Sequence, residues 1–151
     1  MHQIILHLHS VLRYLVLILM LVAIVRSFLG INGRKGFGKA DEKWAFWAML
    51  SLHIQATLGI VLYVVSPIIK SAMQDMGAAM GNSVQRFFVV EHAVAMLLAV
   101  VLVTIGRKKA LKALTDQQKH KKILIFFLLA LVIIFLSIPW PFMPSGLGRG
   151  W

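Results

Sequence analysis

"HLHSVLRYLVLILMLVAIV", residues 7–25, decides the fold. From Tyr14 to Val25 it carries no charge, and with its flanks the apolar run covers residues 4–29. A helix of ~20 apolar residues is enough to cross the hydrocarbon core of a bilayer, so this segment predicts a transmembrane span. Its opening turns nevertheless hold His7, His9 and Arg13. A charged residue at the bilayer centre costs at least ~2.5 kcal/mol on insertion scales, so polar groups placed there are expected to have a partner or a function.

Three further stretches have the same character, at residues 44–69, 84–106 and 119–139. The whole chain, 151 residues, is 60% hydrophobic and 14% charged, where soluble domains have about 25% charged residues. Its length fits one domain, residues 1–151. Residues 1–3 provide no basic n-region and no A-x-A cleavage pattern comes after the apolar run, so that run reads as a mature helix rather than a signal peptide. Cysteine is absent, which excludes disulfides, thiolate-held clusters, Cys-based zinc sites and covalent C-x-x-C-H haem attachment. Any haem would be non-covalent, on His or Met.

Charge placement predicts direction. Arg26, Arg34, Lys35, Lys39 and Lys43 gather around the first connection, "RSFLGINGRKGFGKADEK". Arg107, Lys108, Lys109, Lys112, Lys119, Lys121 and Lys122 gather around the third, "GRKKALKALTDQQKHKK", whereas "KSAMQDMGAAMGNS" between them is nearly uncharged. The positive-inside rule then puts both basic loops in the cytoplasm and both termini outside. Short connections predict an all-α membrane protein, an up-down-up-down four-helix bundle with the first and third helices diagonal. Thr115 with Gln118 is a capping-box pattern, Pro139 and Pro141 should stop the last helix, and "SGLGRGW" reads as a loose end. Trp44, Trp47 and Trp140 stand where an aromatic belt belongs. The net charge of +11 is thereby explained by topology and anionic lipid, with no nucleic acid.

The histidines carry the functional reading. His9, His53, His92 and His120 fall one to each span. A b-type haem takes two imidazoles from different helices at similar depth, with an apolar slot between them. Counted from Arg26, His9 lies ~26 Å above the inner boundary, and His92, counted from Arg107, lies ~22 Å above it. They match within a turn, near the outer face. His7 is two residues from His9, about 200° around the helix, and so cannot serve the same iron. Arg13 and Arg86 are placed to neutralise haem propionates; alternatively Arg13 pairs with Glu91. His53 and His120 would hold a second haem near the inner face, but their depths differ by ~10 Å. Histidines in membrane helices also serve as interhelical hydrogen bonders, which is the competing expectation.

Other patterns carry less. "GRKGFGKA", residues 33–40, has P-loop spacing but Ala40 where Ser or Thr should bind magnesium, and no strand precedes it. Met73, Met76 and Met80 recur at helical spacing and suit either Cu(I) or a short amphipathic surface segment, with the second favoured.

The segments "HLHSVLRY", "LHIQATLGIVLY", "VVEHAVAM", "QKHKKI" and "SIPWPF" resemble the short bacterial four-span membrane proteins known as cytochrome b. The resemblance implies b-haem binding and electron transfer in the bacterial cytoplasmic (inner) membrane, with His9, His53, His92 and His120 as axial ligands. Together these readings predict a membrane cytochrome with one or two haems b. Its expected partners are a quinone or quinol and other membrane or periplasmic redox proteins. Gln55, Tyr14, Tyr63 and Trp140 are candidates for a quinone pocket. The rival expectations are a non-catalytic subunit scaffolding a larger complex and a proton or metal transporter using Glu91 and the histidines.

Overall fold

The computed structural model describes residues 2–140 and 142, and every regular element among them is helical. Pro141 and residues 143–151, where the loose end was expected, lie outside the described residues. Helix α1 is His2–Asn32 and α2 is Lys39–Val65. Two short helices, α3 (Pro67–Gln74) and α4 (Met76–Gly81), lead to α5 (Ser83–Arg86). A π turn, Phe87–Glu91, joins α5 to α6 (His92–Leu111), so that Ser83–Leu111 is one interrupted rod. The last helix, α7, is Asp116–Ser137.

Helix ends reflect local chemistry. Pro67 disfavours a helical conformation at Ser66, which is extended at φ −66° and ψ 128°, so α2 ends at Val65 and not at the expected residue 69. The same proline then opens α3, where its missing N–H is no loss. Asp75 caps α4 by accepting from the Ala78 amide at 3.0 Å, and Thr115 caps α7 by accepting from the Gln118 amide at 3.3 Å. The methionine-bearing connection is thus a pair of short helices.

Among the described residues, four helical rods are long and apolar enough to cross a membrane. Only 17–33% of each rod's most apolar window is buried within the protein, so its apolar side chains mostly face outward, where lipid covers them. This is a multi-pass membrane protein. Helix α1 packs on α2 and α7, and α6 packs on the same two. Alanines at 23, 45, 48, 99, 110 and 130 are fully buried and let the backbones approach, with Met20, Val103 and Phe127 filling the centre. Gly106 serves the same end: a Cβ there would collide with Phe126.

All five acidic residues are engaged structurally. Asp41 pairs with Arg26 at 2.8 Å, Glu42 with Arg107 at 3.6 Å and Asp116 with Lys119 at 3.0 Å, all at the basic end. Glu91 pairs with Arg86 at 2.8 Å, half exposed at the other end, while Asp75 is the α4 cap. The alternative pairing of Arg13 with Glu91 is therefore corrected: Arg86 lies five residues before Glu91 across the π turn and takes it first.

Candidate functional site

A cavity of about 630 Å³ opens between α1, α2 and α6 at the end opposite the basic loops. His9 and His92 both line it, as do Arg13, Gln55 and Met96. The depth match read from the sequence therefore corresponds to one shared space. Its walls are mostly apolar, and its volume lies within the ~300–1,000 Å³ typical of ligand and cofactor sites.

His92 is the first residue of α6, just past the π turn. Its backbone N–H reaches back five residues to the Phe87 carbonyl, so the turn holds one residue more than an α-helical turn would. Tyr63 of α2 pins the turn from the side, its hydroxyl donating to the Val89 carbonyl at 3.1 Å. The imidazole is fixed as well. Nδ1 lies 2.7 Å from the carbonyl oxygen of Ser137 at the end of α7. A carbonyl can only accept, so Nδ1 carries the proton and, in the neutral ring, Nε2 keeps its lone pair.

His9 is held through its backbone. Gln55 Nε2 donates to the His9 carbonyl at 2.9 Å, and the His9 ring lies over Gly59, where a Cβ would stand 3.3 Å from Cε1. His9 Nδ1 and Gln55 Oε1 are buried polar atoms with no hydrogen-bond partner among the described residues. Such orphans are rare in native interiors and mark places able to take a bound group. Arg13, one turn below His9, lies over the rings of Tyr14 at 5.2 Å and Trp140 at 5.8 Å.

The remaining predicted residues lie elsewhere. Arg86 does not line the cavity; it donates to Glu91 and to the Met80 carbonyl. His53 has both ring nitrogens occupied, Nδ1 at 2.8 Å from the Met49 carbonyl and Nε2 at 3.3 Å from Thr104 Oγ1 on α6. His120 is 1% exposed at the basic end, packed against Gly30 and edge-on to Phe37 at 5.0 Å. No hydrogen bond or ring contact joins His53 to His120 among the described residues, and no group of three or more His or acidic residues suited to a metal occurs among them.

Nothing in the sequence marks the π turn, the Tyr63–Val89 bond, Gly59 or the Ser137 carbonyl as site features. The prolines of "SIPWPF" signal only that the last helix ends. No protein-family model, curated protein or solved structure matches this chain.

Proposed function

We propose that this chain is a b-type cytochrome of the bacterial cytoplasmic membrane, holding one haem between His9 and His92 and passing electrons between a quinone pool and a redox partner. The observation that carries this reading is the shared cavity: His9 of α1 and His92 of α6 line one mostly apolar space, with His2 and His7 also on its α1 wall, and His92 has its tautomer set by a backbone carbonyl. A metal-binding histidine characteristically donates its second N–H in this way.

The residues present fit haem. Nε2 of His92 offers a lone pair, His9 offers an imidazole with an orphaned buried nitrogen, and Gly59 keeps the space beside that ring open. Arg13 lines the same cavity and would neutralise a propionate. Haem bound there supplies a one-electron couple. The apolar walls exclude water, and the hydrogen bond from His92 Nδ1 to Ser137 raises the donor strength of Nε2. A single haem per chain is proposed, because neither His53 nor His120 lines the cavity that His9 and His92 share.

An up-down-up-down arrangement with both termini outside belongs to the same proposal. It is supported by cross-helix contacts in antiparallel order, Gln55 with His9 and Asp41 with Arg26, then Tyr63 with Val89 and Glu42 with Arg107. The clustering of basic residues at the end carrying Arg26 and Arg107 supports a cytoplasmic assignment for that end. One observation favours the scaffold reading: the His53–Thr104 contact is an interhelical polar contact of the kind it requires. A proton-transporter reading lacks a free acid, since all five are paired or capping.

The test is haem content of variants purified from cells supplied with haem. His9→Ala and His92→Ala should each lose the haem and still insert, whereas His7→Ala keeps it. Full haem in both of the first two variants would sink the assignment.

A further inference from the structure

The two prolines of "SIPWP", residues 137–141, do more than end a helix. In an α-helix each carbonyl accepts from the N–H four residues on. For Phe135 that residue is Pro139, and for Ser137 it is Pro141; neither has an N–H in any conformation. Pro139 also keeps Ile138 out of the helical region, and Ile138 is extended at φ −75° and ψ 130°. Proline thus denies the Phe135 and Ser137 carbonyls their helical donors in an apolar setting, where an unmet carbonyl is costly.

Each is met by a side chain in or beside the site. The Trp140 indole Nε1–H donates to the Phe135 carbonyl at 3.0 Å. His92 Nδ1–H donates to the Ser137 carbonyl at 2.7 Å. The same Trp140 ring lies under the Arg13 guanidinium. Two residues of the cavity wall, on α1 and α6, are therefore placed by the end of α7.

We infer that Pro139 and Pro141 are positioning residues for His92: by removing the helical amide that would answer the Ser137 carbonyl, they reserve it for Nδ1–H and so hold the Nε2 lone pair toward the cavity. This rests on reading His92 as a ligand, but the tautomer exists with or without a bound group. With both prolines replaced, α7 can continue, and the amide of residue 141 competes for the Ser137 carbonyl. With Pro139 alone replaced, residue 141 still has no amide to offer. The effect belongs to the pair, as a double-mutant cycle would reveal.

The experiment is a comparison of wild type, Pro139→Ala and Pro139→Ala/Pro141→Ala. The tautomer of His92 is read from ring ¹⁵N chemical shifts in haem-free protein, and the midpoint potential is read in haem-loaded protein. Wild type and the single variant should show one tautomer, with Nδ1 protonated. The double variant should show a mixture, and its potential should move upward as the ligand loses donor strength. A double variant with the wild-type tautomer would overturn the inference. So would loss of the tautomer already in the single variant, which would mean that the shape of the helix end holds His92 and not an unanswered carbonyl. A fixed tautomer that responds as expected in a protein that takes up no haem would retain the positioning and remove the cytochrome reading.

Discussion

His120 is a histidine that packs. Its ring, 1% exposed, fills the space above Gly30 where any Cβ would collide with it, and Phe37 closes the side. Gly30→Ala should therefore lower the thermal unfolding temperature in detergent. Adding His120→Ala should recover part of the loss, with a coupling of ~0.5–3 kcal/mol between the two. Independent, additive losses would show that the ring and the glycine are not packed as described. Gly59 plays a different part, because its missing side chain leaves room for His9 at the cavity. Gly59→Val should press on the His9 ring and lower haem retention in the purified protein, with the yield of inserted protein unchanged. Retention equal to wild type would separate Gly59 from the site.

Among the elements, the π turn at Phe87–Glu91 is the one that orients chemistry. One extra residue rotates the rest of the rod by about 100°, turning His92 inward while Glu91 stays with Arg86 outside. Tyr63→Phe keeps the ring and removes the hydroxyl bonded to Val89, which should cost ~0.5–1.5 kcal/mol. Backbone hydrogen exchange across residues 83–92 should accelerate, while exchange in α7 stays as it was; uniform exchange in both would remove Tyr63 from this role. The spans can be read from the sequence because length and hydropathy set them, and helical rise with the charge markers puts His9 and His92 level. Hydropathy alone carries the second span past Pro67, whereas the constraint that a proline puts on Ser66 ends it earlier. The π turn leaves no mark in the sequence, since an apolar rod with one inserted residue has the same composition as one without. The engagement of His53 depends on Thr104, fifty-one residues away, and such a contact emerges only once α2 and α6 are placed side by side.

For the whole molecule, the proposed reading ties orientation to function: it puts the basic loops inside and the His9–His92 cavity toward the outer face. The absence of native cysteine makes single-cysteine labelling direct. Lys35→Cys should react with an impermeant maleimide only after the membrane is opened, and Gln74→Cys should react in intact cells; the reverse pattern would invert the topology. Everything proposed for the cavity depends on the group bound in it. A reduced-minus-oxidised absorbance spectrum of the purified wild-type protein, joined to a pyridine haemochrome assay, decides that point. A b-type spectrum with about one haem per chain is expected, in line with ligation by two histidines. A protein produced with ample haem that shows no such spectrum would contradict the cytochrome reading.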